Sequence, residues 1–344
     1  MKAIVKPAPG PGLVVRDVPK PVCGPADVLI QVRHAGVCGT DLHIAEWDAW
    51  AQGRVKPPLV LGHEFAGEIV EVGSAVKEFA TGELVTAEGH IVCGHCIQCR
   101  TGNGHICQKT RIIGVDRAGA FAEFIAMPAT NVMKLDGIPT EIGAIMDPMG
   151  NGFHTVLTAD IPGSVVLVLG CGPIGCFAVG IARAAGARAV IAVDVNPKRL
   201  ALAEKMGATR AVKPGAEVEK VVMELSEGNG ADVVCEMSGA PAALHSAFQC
   251  VRYGGRVQLL GIPAGEVPIN FATEIIFKGI TIYGVIGRKM YETWNQMQRF
   301  LRSGAFDPRP VITHRFPLDR IDDALAAIKS GDAGKVILEI GADA

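Results

Sequence analysis

Val165-Val166-Leu167-Val168-Leu169-Gly170-Cys171-Gly172-Pro173-Ile174-Gly175 joins an uncharged apolar run to a glycine-rich turn and then to a helical pattern. The run has the length of a buried strand. Gly170, Gly172 and Gly175 fall where a phosphate-cradling turn needs a tight bend, backbone access and close helix packing. The helix that follows would aim its N-terminal N–H groups and dipole at a pyrophosphate. A second apolar run, Ala189–Asp194, ends in an acid nineteen residues after Gly175. An acid there accepts hydrogen bonds from ribose hydroxyls and repels a 2′-phosphate, so Asp194 favours NAD over NADP. Lys198 and Arg199 moderate that preference, and Arg199 is placed to lie against the adenosine. The expectation is a dinucleotide site.

Outward from this stretch, further strand-like runs at Asp232–Glu236, Arg256–Leu260 and Ile280–Tyr283 alternate with helical patterns. Such alternation predicts an α/β fold with a doubly wound parallel sheet. The helix after Asp194 has Asn196 as its cap, Pro197 in its first turn and Gly207 to end it. No charge occurs from Ile161 to Ala182, a length that imitates a membrane span. Pro162, Gly163, Gly170, Gly172, Pro173 and Gly175 cut it into strand, turn and helix. Residues 1 to about 147 have another texture, with short apolar runs such as Val28–Val32 and Glu68–Val72 between glycines and prolines, which reads as irregular and β-rich. A helix around Tyr291–Arg302 and a strand at Lys335–Ile340 fit either part on pattern alone.

A chain of 344 residues has room for two domains. With 49% apolar and 20% charged residues it has a core to bury, which excludes bulk disorder. A net charge of −2, with no block of like charge, excludes a nucleic-acid-binding face. The first seven residues lack the apolar stretch of an export signal, so a soluble, cytoplasmic protein without a membrane partner is expected.

Four of the ten cysteines, Cys93, Cys96, Cys99 and Cys107, lie within fifteen residues. Four thiolates in one loop can close a tetrahedral zinc site with no open position, a structural site. An iron–sulfur cluster competes, since three cysteines at this spacing begin a ferredoxin run. The distant fourth cysteine without a following proline favours zinc. A dispersed set, Cys38, His63, Glu64 and Asp147, has the thiolate, imidazole and carboxylate of a catalytic zinc site, but spacing alone does not assign it.

Gly62-His63-Glu64-Phe65-Ala66-Gly67, followed by Gly73 and Val76, resembles the signature of the zinc-dependent medium-chain alcohol dehydrogenases. Cys38-Gly39-Thr40-Asp41, the four-cysteine loop and the glycine-rich turn come in that family's order, so the resemblance spans the chain. It implies a GroES-like catalytic domain at 1–147, completed by 293–344, and an NAD-binding Rossmann domain at 148–292. It implies one catalytic and one structural zinc per chain, and a homotetramer acting on a small-molecule substrate. By position, Cys38, His63 and Glu64 match the catalytic zinc, Thr40 and His43 a proton relay, and Asp147 an acid near the metal. Ile174, Asp194, Arg199, Leu260-Gly261-Ile262 and Val285-Ile286 match NAD contacts. Glu88-Gly89-His90, Trp47-Asp48-Ala49-Trp50 and Glu236-Met237-Ser238-Gly239 are most similar to the branch that oxidises the 3-hydroxyl of L-threonine. A polyol or secondary-alcohol dehydrogenase is the alternative within the family, and a non-catalytic NAD-binding scaffold the alternative outside it. Trp47 and Trp50 read as packing or interface aromatics, Cys171 as a small filler, and His90 as lining a pocket or capping a strand.

Overall fold

Val165–Leu169 is a strand buried along its whole length, in the interior of a six-stranded sheet. Five consecutive apolar residues offer no side chain to water, so both faces of the strand must be covered. The structure, a computed structural model, describes residues 1–341. The sheet is parallel throughout, in the order Arg210–Val212, Ala189–Val193, Val165–Leu169, Ala231–Glu236, Val251–Leu259 and Thr281–Gly284. Numbered along the chain, that order is 3-2-1-4-5-6. The sheet therefore changes its direction of growth between Val165–Leu169 and Ala231–Glu236, and ligands bind at the carboxyl ends of strands beside such a switch. The strand Arg210–Val212 was not foreseen. It has three residues, of which only Val212 is buried, so no periodicity marks it.

The helix Pro173–Ala184 starts on Gly172 as N-cap with Pro173 in its first turn, and its residues from Gly175 to Ala182 are buried. The stretch from Ile161 to Ala182 thus resolves into strand, turn and helix. No helix among the described residues is long and apolar enough to cross a membrane. Asn196 caps the helix Pro197–Lys205, its side chain accepting the Lys198 N–H at 2.8 Å. Gly207 follows in the left-handed region, at φ +100°.

The remainder is organised around one long strand, Asp27–Val37. It pairs antiparallel with Glu64–Val72, with Phe124–Pro128 and with the C-terminal strand Lys335–Glu339. Ile312–Pro317 lies parallel to that last strand. The end of the chain therefore completes the first sheet, and Val336 and Leu338 join Ile30, Val32, Phe65 and Ile69 in its core. Two units result. One comprises Met1–Asp147, Met290–Trp294 and Ile312 onward, and the other Pro148–Lys289 and Asn295–Val311. The expected boundary put all of 293–344 with the first domain, whereas Asn295–Val311 clusters with the second unit. The cause is aromatic packing: Phe300 and Phe306 meet the Phe153 ring edge-on, at centroid distances of 5.1 and 6.0 Å.

Candidate functional site

In the second unit the three glycines of the turn do three different things. Gly170 makes the bend, at φ +95°. A Cβ on Gly175 would collide with the Gly170 carbonyl, so its absence lets helix and strand close up. A Cβ on Gly172 would meet nothing, which leaves the backbone there open to an approaching ligand. Asp194 is buried and closes the turn from the next strand. Its Oδ2 accepts the Cys171 N–H at 2.7 Å, its Oδ1 accepts the Asn196 N–H at 2.8 Å, and Arg199 lies 4.0 Å away. Gly170, Asp194, Arg199, Gly215 and Ser238 line a groove of about 490 Å³. Leu260, Gly261 and Ile262 leave the end of Val251–Leu259, and Val285 and Ile286 follow Thr281–Gly284. Ile262 and Ile286 are exposed apolar residues, while Val285 is buried.

Glu236 was singled out in the sequence only within a motif, with no role. It is fully buried, and its carboxylate accepts the Ser238 N–H at 2.8 Å, the Ser238 hydroxyl at 2.5 Å and the Gly239 N–H at 3.0 Å. Its function is to shape the turn that carries Ser238 to the groove. Asp194 likewise shapes its own turn, through the Cys171 and Asn196 N–H groups. Asp194→Ala is expected to weaken NAD about tenfold or more, the ~1.5–3 kcal/mol of a charge-assisted hydrogen bond. NADP should suffer less, because the same change removes repulsion of its 2′-phosphate. Titration of both dinucleotides checks this, and an unchanged NAD/NADP affinity ratio would count against the assignment.

In the first unit Cys93, Cys96, Cys99 and Cys107 converge. Their sulfurs stand 3.4 Å (96–99), 3.6 Å (93–107), 3.8 Å (96–107) and 4.0 Å (93–99) apart. These values bracket the ~3.8 Å edge of a tetrahedron with Zn–S bonds of ~2.3 Å, and they are far longer than a disulfide. Backbone N–H groups turn toward the sulfurs: those of His95 and Cys96 hold Cys93 below the usual thiol range. Burial alone would raise Cys107, but backbone N–H groups, that of Lys109 among them, outweigh it and bring the thiol down to about 6. Cys99 goes the other way, pushed up to about 12 by burial and by the Cys96 sulfur. The fit to one zinc with no open position therefore rests on the convergence of the four sulfurs. Cys96→Ser is expected to lose that zinc and lower the melting temperature, with little change in KM of the protein that remains folded. Metal analysis alongside calorimetry checks it.

The second metal candidate sits at the start of the helix Gly39–Glu46, where Cys38 is the N-cap. One ligand atom each from Cys38, His63 and Glu64 lies within 4.8 Å of the others. Glu64 opens the strand Glu64–Val72, paired to Asp27–Val37 with Gly36 opposite it, and His63 immediately precedes that strand. Asp41, three residues after Cys38, is completely buried; its Oδ2 accepts the Cys38 N–H at 2.9 Å, and its Oδ1 stands 3.8 Å from His63 Nδ1. Neither Asp41 Oδ1 nor His63 Nδ1 has a hydrogen-bond partner among the described residues. Burial pushes the His63 imidazole down, but Asp41, Cys38 and Glu64 outweigh it and raise it to about 10. A buried pocket of sulfur, nitrogen and oxygen donors suits a divalent cation. Sequence reasoning quoted Asp41 without giving it work; a carboxylate one turn from a cysteine ligand, able to orient a histidine ligand, was the signal available.

Lys335 was missed altogether. Its ammonium is buried and lies 2.7 Å from Glu64 Oε1 and 2.5 Å from Oε2. Burial pushes it down, yet Glu64 and Cys38 hold it above the usual lysine range. A side chain on Gly36 would stand in the space of the Glu64 carboxylate and 3.1 Å from the Lys335 Cε, so glycine at 36 lets the pair meet across the strand. Asp147 joins a different group, with ligand atoms within 4.8 Å of those of Glu88 and His90. His90 gives its backbone N–H and its Nδ1 to Glu88 Oε1, at 2.9 and 2.8 Å, and Trp294 donates to Glu88 Oε2 at 2.9 Å. Gly89 links the groups, lying against both the His63 carbonyl and Asp147. Thr40 Oγ1 is 3.8 Å from Cys38 Sγ, and His43 follows one turn later on the same helix, exposed.

Residues 24–137 match the alcohol dehydrogenase GroES-like domain, and residues 173–303 the zinc-binding dehydrogenase domain. L-Threonine 3-dehydrogenase of Bacillus licheniformis is 48% identical over 340 residues, 98% of each chain. The chain belongs to the zinc-dependent alcohol dehydrogenases. Two solved members show how far the zinc-dependent alcohol dehydrogenase fold reaches. A Sinorhizobium meliloti protein named a zinc-binding dehydrogenase and solved bound to NADP is 32% identical, with a TM-score of 0.90 over 98% of each chain. The 2R,3R-butanediol dehydrogenase of Bacillus subtilis is 27% identical, with a TM-score of 0.90 over 99% of each. This dehydrogenase is an oxidoreductase whose cofactors are zinc and NAD(P).

Proposed function

We propose that the enzyme oxidises the 3-hydroxyl of L-threonine to 2-amino-3-oxobutanoate, with NAD as acceptor. The observation that carries this is the 48% identity, over 98% of both chains, to an L-threonine 3-dehydrogenase. The butanediol enzyme, at 27%, supports the polyol alternative far less. The first unit is the GroES-like catalytic domain and the second the Rossmann domain for NAD. Cys38, His63 and Glu64 would hold the catalytic zinc, and Cys93, Cys96, Cys99 and Cys107 the structural one. Bound there, zinc would supply a Lewis acid that lowers the pKa of the alcohol, and NAD would supply the hydride acceptor.

The chain's own residues handle the rest. Oxidation removes a hydride and a proton; the hydride leaves with the dinucleotide, and the proton must reach water. Thr40, beside Cys38, takes it from the substrate hydroxyl, and His43, exposed one helical turn on, releases it. Asp41 orients His63, and Asp147 acts outside the metal. Ile174, Asp194, Arg199, Leu260–Ile262, Val285 and Ile286 contact NAD, with Asp194 setting the preference over NADP. A cytoplasmic homotetramer, with no nucleic acid or membrane partner, completes the reading. A panel of L-threonine, sorbitol and 2,3-butanediol with NAD and NADP, followed by formation of the reduced dinucleotide, tests it. Highest kcat/KM with threonine and NAD is expected; faster oxidation of either other alcohol would overturn it.

A further inference from the structure

His43 does not stand alone at the end of the relay. Its Nδ1 lies 2.6 Å from Asp48 Oδ2. Asp48 is held from its other side, because it caps the helix Ala49–Arg54 with Oδ1 accepting the Ala51 N–H at 2.9 Å. The backbone that brings Asp48 back over His43 is constrained. Trp47 between them is the left-handed C-cap, at φ +59°, that ends the helix Gly39–Glu46 and turns the chain back. It is clamped by the buried Lys6, whose ammonium lies 5.0 Å from the Trp47 ring centroid and donates to the Ala45 and Gly12 carbonyls at 3.4 and 3.1 Å. Trp50 closes the far side, its ring meeting His43 edge-on at 6.3 Å. The helix cap uses only Oδ1, so it does not account for the contact of Oδ2 with the His43 ring.

We infer that Asp48 is a positioning residue for proton release, fixing the tautomer of His43. A carboxylate only accepts, so His43 carries its proton on Nδ1 and the neutral ring presents Nε2 as the base. The Ala51 N–H holds the Asp48 carboxyl below the usual range, and His43 adds to this, so the acceptor stays ionised. The inference rests on the reading of His43 as the relay's outer member.

Asp48→Asn separates this role from the cap. The amide oxygen still accepts from Ala51, but its NH₂ group faces Nδ1 and imposes the opposite tautomer. Expected is a fall in kcat of about tenfold, the lower end of what loss of an orienting partner costs, with KM values for alcohol and NAD and the melting temperature little changed. In a His43→Gln background the same substitution should do nothing further, since Asp48 acts only through that ring. The proposal is overturned if Asp48→Asn turns over within about twofold of wild type, or lowers the His43→Gln enzyme as much as the wild type. Both L-threonine and 2,3-butanediol are assayed. A wild type active only on the diol would fault the substrate reading, and the variant ratios measured with the diol would still judge Asp48.

Discussion

Cys38→Ser should cut turnover by about a thousandfold, the several kcal/mol that a Lewis acid supplies, while zinc content falls from two per chain to one. Cys38 is placed to do this because it caps the helix Gly39–Glu46, and its N–H is fixed by Asp41. The hydroxyl of serine would keep that geometry and lose only the soft donor, so the loss can be read as chemistry rather than misfolding. NAD binding should survive, since the glycine-rich turn belongs to a separate unit with its own sheet. The four-cysteine zinc should stay, because none of its ligands is touched. Metal analysis, NAD titration and turnover on one preparation check all three. Ordinary activity with two zincs retained would remove Cys38 from the metal site.

Glu64→Gln should be nearly as damaging, but partly through folding. Glu64 is the counter-ion of Lys335, and both are almost completely buried. Removing one partner of a buried pair costs ~3–5 kcal/mol, because the remaining charge keeps its desolvation penalty. For a chain of this size that is a melting-temperature drop of roughly 4–7 °C. Adding Lys335→Met should return most of that stability, since a well-packed apolar side chain replaces an orphaned charge. Zinc retention in the double variant then reports on Glu64 as a ligand, free of the folding effect. Asp147→Asn provides the contrast: it should keep much of the zinc and lose most turnover, as an outer-shell group does. Calorimetry and zinc analysis on the three proteins decide. A Glu64→Gln/Lys335→Met protein with full catalytic zinc, or an Asp147→Asn protein without it, would reverse the assignment.

These two predictions differ in how they became visible. Cys38 could be chosen from the sequence because Cys38-Gly39-Thr40-Asp41 and Gly62-His63-Glu64 resemble the family's motifs, although spacing alone left the site unassigned. The pairing of Glu64 with Lys335 could not be, since the two are 271 positions apart. They meet only because the C-terminal strand lies against Asp27–Val37 with Gly36 between them. Asp48 belongs to the same class. Its contact with His43 depends on Trp47 turning left-handed at the end of Gly39–Glu46, which the sequence reading did not mark.

What the sequence determined by itself was therefore whatever rests on local spacing. The apolar runs and their turns specify a parallel sheet, because hydrogen-bonded backbone and buried faces leave few arrangements for strand-helix alternation. The glycine spacing specifies the dinucleotide turn, and the four cysteines specify a metal loop, since those groups meet without help from the rest of the chain. Tertiary structure decided which buried charges neutralise each other, where Asn295–Val311 docks, and which acids lie beside Cys38 rather than beside His90. Burial makes the difference. Each of those outcomes depends on charges or rings brought together from distant segments, where the energy of desolvation and packing is known only once the surrounding protein is in place.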